Sequence, residues 1–329
     1  MAGRVSLDEQ LLRLNQVRDE GDPVVARAAA IKALADKSNL MIAAGAKIIR
    51  EFELTGVESE LVATWKRLVQ HAEPIKVDKC CAAKESIIET LSRLDYDEPE
   101  LYLTGMQYQQ VEPAWLESID TAMNMRALCA FALARSQQIR LVDKLVAFVD
   151  LMEYGKGDRV AALRAMSDTG SEYAIPLLRL KLLAHEESVE ARGICMAGLL
   201  ALAPVASIPL VSRYLNSHDE DMVVEAASAL GTCGRLAAIE SLTKRLERAE
   251  SEDLRRSLLL SIGLSRDPTA IQFLISRLES PSDTQAALEG LRPACVYQET
   301  QSRVQETLQK LGDPLLIKEF ERRFGRGDR

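Results

Sequence analysis

Residues 223–246 read VVEAASALGTCGRLAAIESLTKRL. Two short apolar runs with helical spacing flank a turn carrying Gly231 and Gly234, and glycine ends helices because it adopts conformations other residues avoid. The same sentence is written three more times. Residues 160–183 (VAALRAMSDTGSEYAIPLLRLKLL), 189–215 (VEARGICMAGLLALAPVASIPLVSRYL) and 254–278 (LRRSLLLSIGLSRDPTAIQFLISRL) align with it. Ile175, Ile208, Ile239 and Ile271 each follow a small residue, at spacings of 33, 31 and 32. Met166, Leu199, Leu230 and Ile262 keep the same spacings, and so do Leu182, Leu215, Leu246 and Leu278. A repeat of this period is the signature of stacked supersecondary units.

Each unit reads as a helical hairpin. Its turn carries the breakers Gly170, Pro204, Gly234 or Pro268. The polar stretches between units, such as residues 186–188, 217–221, 250–253 and 280–283, suit N-caps and acidic first turns. A single hairpin cannot cover its apolar face, so the hairpins must stack. The fold expected is therefore all-α: one continuous right-handed α-solenoid. Degenerate repeats would occupy 1–156, regular repeats 157–283, and capping helices 284–329. Helices are expected at 23–35, 40–49, 80–94 and 125–133. No alternating β-branched run of any length occurs.

Composition narrows the function. The chain has 329 residues, 47% of them hydrophobic, so it has ample apolar surface to bury. Its net charge is −8, from 41 basic and 49 acidic residues, which argues against a general nucleic-acid binder. No uncharged apolar run is long enough to span a membrane; residues 40–49 (LMIAAGAKII) are too few and include Lys47. The first residues turn polar at once, so no signal peptide is expected, and the expected compartment is a reducing cytoplasm. Six cysteines are too few for a disulfide framework in a chain of this length; Cys129, Cys195 and Cys233 read as core residues.

These units resemble HEAT repeats, and more narrowly the short bacterial HEAT-like repeats first described in phycobilisome lyases, with the pattern V-R-x-x-A-x-x-A-L-x-x-x-G-x-x-x-A-I-P-x-L. Val223, Ala226, Ala229-Leu230, Gly234 and Ala238-Ile239 follow it in order, as do Ala174-Ile175-Pro176 and Ala270-Ile271. The likeness is good over 157–280 and loose over 20–150. The whole chain is also similar to bacterial HEAT-repeat proteins sharing a central D-K-x-C-x-A-K, E-P and D-T-A stretch. It stands here as Asp78-Lys79-Cys80-Cys81-Ala82-Ala83-Lys84, Glu112-Pro113 and Asp120-Thr121-Ala122. The resemblance implies a solenoid; among such proteins the roles range over scaffolding, lyase and nucleic-acid functions.

Two surfaces are candidates for binding. The second helices place Arg179, Lys181, Arg213, Tyr214, Lys244, Arg245 and Arg277 just before the last leucine of each unit. Such a ladder would favour an anionic partner, such as an acidic protein segment; equally, cations near a helix C-terminus complement the macrodipole. The second is an irregular aromatic insertion near 95–118, expected to be non-helical because Pro99, Gly105 and Pro113 interrupt it. It carries Tyr96, Tyr102, Tyr108 and Trp115, and could be a binding loop or a plug between repeats. Asp120 could cap the helix that follows.

Catalysis and cofactors leave no mark. His71, His185 and His218 are scattered, no metal-ligand spacing occurs, and there is no phosphate loop or nucleophile elbow. A protein-binding scaffold or adaptor that uses the concave face of the solenoid, lined by the second helices, without catalysis, cofactor or metal, is the reading adopted. Nucleic acid, membrane and small-molecule partners are not expected. Two alternatives come with the resemblance. A bilin lyase or chaperone-like subunit would absorb light with its pigment. A HEAT-like DNA-binding protein or alkylpurine DNA glycosylase would need a basic, aromatic concave face, and only Trp65 and Trp115 are available as tryptophans.

Overall fold

The computed structural model describes residues 6–115, 117–184 and 188–324. His185, Glu186 and Glu187, considered above, and residues 325–329 at the end of the expected capping segment lie outside the described residues. The described chain is almost entirely helical, and it divides into two compact units, Met1–Thr169 and Gly170–Arg329.

The first unit holds α1 (Leu7–Glu20), α2 (Pro23–Leu34), α3 (Asn39–Glu51), α4 (Glu58–Val69), the single turn α5 (Pro74–Val77), α6 (Ala82–Arg93), α7 (Pro99–Met106), α8 (Met123–Arg135), α9 (Leu141–Leu151) and α10 (Lys156–Asp168). One row runs α3, α6, α8, α10, each helix packed on the next. Helices α2, α4, α7 and α9 pack against this row. Trp65, Ile42, Ile49, Ile87, Ile88 and Phe148 fill the core between them.

The second unit holds α11 (Ile175–Leu183), α12 (Val189–Leu202), α13 (Pro204–Ser212), α14 (Glu220–Cys233), α15 (Leu236–Leu246), α16 (Glu252–Leu264), α17 (Pro268–Arg277), α18 (Thr284–Leu291), α19 (Gln298–Leu311) and α20 (Pro314–Phe324). Its row is α12, α14, α16, α18, with α11, α13, α15 and α17 packed on it. The punctuation acts as read. Ser188, Asp219, Ser251 and Asp267 each accept a backbone N–H from the first turn of α12, α14, α16 and α17. Pro204 and Pro268 start helices, where the missing N–H costs nothing, and Gly234 ends α14 at φ 64°.

The columns explain the packing. Met166, Leu199, Leu230 and Ile262 are buried, as are Leu182, Leu215, Leu246 and Leu278. The isoleucine column divides: Ile208 and Ile239 are buried, while Ile175 and Ile271 are half-buried. The small residue before each isoleucine, Ala174, Ser207, Ala238 or Ala270, is buried in every case. At Gly263 the approach is tighter still, since a Cβ there would stand 2.0 Å from the main-chain oxygen of Gly290.

Several expectations are corrected. The 95–118 stretch is not an unstructured insertion: Pro99 opens α7 at its first position, and Gly105 lies inside that helix, where a Cβ would meet Cys129 Sγ at 2.4 Å. Strands do occur, as a hairpin of β1 (Val111–Pro113) and β2 (Ser118–Asp120), antiparallel with Val111 opposite Asp120. Helix α6 starts at Ala82, because Cys80 and Cys81 both take left-handed backbone angles (φ 59° and 54°). Cys233 is half-exposed where a core position was expected. Asp283 is no surface cap: it is buried and receives a bidentate Arg255 at 2.8 Å.

Candidate functional site

The β1–β2 hairpin is rooted in a buried polar network that gathers residues from five separate stretches of the first unit. Asp78 caps α6, accepting from the N–H groups of Ala83 (2.9 Å) and Lys84 (3.0 Å). Lys84 is fully buried; its ammonium donates to Asp78 Oδ2 and to Gln110 Oε1, both at 2.9 Å. Gln110 in turn donates to the Asp78 carbonyl and to Glu112 Oε1, both at 2.7 Å. Glu112 Oε1 also accepts from the Cys80 N–H (2.6 Å) and the Thr121 hydroxyl (2.8 Å). The left-handed turn at Cys80-Cys81 is what aims that N–H at the β1 carboxylate.

The other end of the hairpin is held by Arg126, on α8 and 1% exposed. Its guanidinium forks onto Asp158 at 2.7 and 2.8 Å, and donates to Asp120 Oδ2 (2.7 Å) and the Tyr108 carbonyl (2.9 Å). Asp120 also accepts from the N–H groups of Gln110 and Ala122, but Ala122 itself is the N-cap of α8 and no side chain caps that helix, so Asp120 is not the cap expected from sequence. The Tyr108 ring lies under the Lys84 ammonium and the Tyr154 ring under the Arg126 guanidinium.

Four carboxylates thus face two cations, and main-chain and side-chain donors satisfy the remainder. For Glu112 burial favours the neutral acid, but hydrogen bonds from Gln110, Thr121 and Cys80 N–H and the charge of Lys79 outweigh it, so its pKa is lowered. For Asp120 burial is likewise overcome, by the Ala122 and Gln110 N–H groups and by Arg126, and its pKa also falls. Burial alone would lower that of Arg126; Asp158 and Asp120 reverse this and raise it. Burial pushes the Cys81 thiol up to about 11, against Lys84 and Thr121, so it is a neutral thiol at neutral pH.

The depressed carboxylates set a pH dependence. A folded pKa below the unfolded value of about 4 means stability that is present above that pH and lost as pH falls through the folded pKa. We expect the urea midpoint to drop on moving from pH 7 to pH 3, and to drop less in Glu112→Gln and Asp120→Asn. An equal drop in the variants would show that these acids carry none of it. The comparison must be with variants, because Asp168 and Glu225, whose pKa values burial raises, contribute with the opposite sign.

Chemically, this arrangement holds a loop. Cys80 Sγ stands 3.9 Å from Glu112 Oε2, too long for a strong proton-sharing contact, while Glu112 Oε1 accepts three hydrogen bonds. Among the described residues no group of three His, Cys, Asp or Glu could hold a metal ion, and no helix is long and apolar enough to cross a membrane.

What the network presents is the hairpin tip. Trp115 is 98% exposed, and Val111 and Ile119 on the strands and Met123 beside them are also open to solvent. Of the tyrosines proposed from sequence, Tyr102 is 1% exposed and donates its hydroxyl to the Tyr96 carbonyl, so it is a core residue and presents no contact surface. Tyr108 is half-buried and engaged with Gln110. Trp115 alone of the three faces outward.

The cationic ladder also separates into parts. Tyr214 donates to the Leu182 carbonyl (3.4 Å), with Arg192 stacked on its ring, and Arg245 donates to the Leu215 carbonyl (2.7 Å). Each therefore ties its second helix to the end of the preceding one. Arg277 stacks on Phe273 and lies 3.8 Å from Asp283. Lys181 is half-buried. Arg179, Arg213 and Lys244 are exposed. The residues missed from sequence are Arg126 and Asp158; a single arginine inside the apolar run of α8 was the available signal.

Residues 209–292 match the family described as HEAT repeats. The second unit carries HEAT repeats. Among solved structures, similar ones include the complex of CpcE and CpcF of phycocyanin lyase from Nostoc, at 16% identity and TM-score 0.42, covering 77% of this chain and 94% of that one. Human deoxyhypusine hydroxylase in complex with glycerol is 14% identical, TM-score 0.29, covering 95% and 91%. An engineered protein is 14% identical, TM-score 0.33, covering 95% and 97%. Likenesses of this size say nothing about activity. No curated protein matches the chain. The matched residues run from within α13 through α18, whereas the hairpin and its buried network lie in the first unit, outside the matched residues.

Proposed function

We propose that this HEAT-like protein is a non-catalytic protein-binding scaffold whose contact element is the β1–β2 hairpin. The observation that carries this reading is Trp115, an almost fully exposed indole on a short ribbon anchored at both ends by buried charges. Tryptophan is a favoured interface anchor, and a preordered loop loses little entropy on binding. Exposing an indole costs solvation free energy that a partner would recover. A second contact, for an acidic segment, is proposed at Arg179, Arg213 and Lys244, the exposed members of the ladder.

The test is capture of a partner from the native cell on the immobilised full-length chain, followed by affinity measurement. Trp115→Ala should weaken binding by about 30-fold or more, as loss of a hot spot does, with the far-ultraviolet dichroism unchanged. A partner held equally well by Trp115→Ala would retire the hairpin as the contact. Because Trp65 is buried, loss of the red-shifted part of the tryptophan emission in the same variant verifies the exposure of Trp115.

A further inference from the structure

We infer that the groove between α7 and α9 receives a basic amphipathic helix of a partner protein; this rests on the protein-binding reading above and names the partner's chemistry. The groove has a volume of about 720 Å³, with Leu103, Met106, Leu151 and the rim residue Val146 as its apolar lining. Asp143, Asp150 and Glu153 stand around it, and no lysine or arginine lines it. Helix α9 carries a second feature. Val142, Val146 and Val149, spaced as one helical face, are 56%, 55% and 45% exposed. Asp143, Ala147 and Asp150 form the adjoining stripe, between the valines and the buried face of Leu145 and Phe148. An apolar ridge beside an acidic groove is complementary to a helix with one apolar and one basic face.

The cations nearby do not cancel this charge equally. Arg140 pairs with Asp143 at 2.7 Å, and the Lys144 ammonium is buried against the Ala134 and Ser136 carbonyls. Asp150 and Glu153 are left as the acids for a partner's cations. The groove is also continuous with the hairpin. Gln107 and Gln109 line it and lead into β1, and the Tyr154 hydroxyl donates to the Gln107 carbonyl at 3.4 Å. Tyr154 stacks on Arg126, the residue that fixes Asp120 at the end of β2. One buried guanidinium therefore sets both the groove wall and the hairpin root, so a helix in the groove would lie beside the segment carrying Trp115.

The experiment uses the full-length protein and a fluorescein-labelled synthetic helix of about 18 residues, leucine on one face and lysine on the other. Anisotropy titration should show binding that weakens with salt, and the same helix with glutamate for lysine should not bind. Val146→Glu with Val149→Glu, and separately Asp150→Lys with Glu153→Lys, should each weaken it by about 10-fold or more. The valines are solvent-exposed, so unchanged dichroism is expected; the acid pair supplies a variant that leaves the apolar face intact. As a control for general attraction to an acidic protein, Glu240→Lys with Glu247→Lys on the exposed surface at and just beyond α15 should leave the affinity unchanged. The proposal is overturned if the lysine helix does not bind, if the control weakens it as much as the groove variants, or if the valine variant binds normally. In any of these cases loss of the native partner by Trp115→Ala would still stand, which separates failure of the groove from failure of the hairpin.

Discussion

Replacing Arg126 with methionine should cost the first unit about 3–5 kcal/mol, the loss seen when one partner of a buried ion pair is removed. Methionine fills much of the same volume, but nothing replaces the four hydrogen bonds. Asp158, 2% exposed, would keep a charge with no counter-ion, and the Tyr108 carbonyl would lose its donor. Full-length protein should show an earlier urea transition for the unit ending at Thr169, while the transition of the second unit stays in place. The double variant Arg126→Met with Asp158→Leu should recover a good part of the loss, because it removes the stranded charge together with its partner. If Arg126→Met matched the parent midpoint, the guanidinium would not be holding the hairpin and the groove wall, and both binding surfaces would lose their common support.

That arginine also shows what a sequence can disclose. The repeats were legible because their information is local and periodic: a residue such as Leu230 is buried in its hairpin for the same reason that Leu199 and Ile262 are buried in theirs. The network has no period. Asp78, Gln110, Arg126 and Asp158 come together only after α6, α8 and α10 have packed, and nothing in their spacing requires it. The family-like Glu112-Pro113 and Asp120-Thr121 pairs marked the right stretch, yet without tertiary pairing they could not be told from surface turns. Pro99 and Gly105 misled for a related reason. A proline can open a helix as well as end one, and a glycine inside a helix can mark a close crossing, here with Cys129. The cationic ladder was visible as a pattern, but whether a cation meets solvent or a neighbouring carbonyl depends on how one second helix lies on the one before, which residue type alone does not determine.

Leu230→Asp should be the most damaging single change in the second unit. Leu230 is fully buried on α14, the helix packed between α12 and α16. Truncation to alanine would by itself cost about 2–5 kcal/mol, from lost transfer energy and the cavity left behind. The aspartate adds a carboxylate to a column whose equivalent positions, Leu199 and Ile262, are apolar and buried. A buried acid of this kind escapes part of the penalty by keeping its proton, so its folded pKa rises above the unfolded value. Linkage then gives the sign: the variant's deficit relative to Leu230→Ala should be large at pH 8 and shrink as pH falls toward 5. Stability in a stacked array is the sum of each layer and its nearest-neighbour interfaces. Disrupting α14 therefore removes two interfaces at once, and the far-ultraviolet dichroism of the full-length chain should fall by more than one helix contributes. A loss confined to a single helix, or a deficit that does not change with pH, would mean that Leu230 reaches water and that the buried column does not hold this row together.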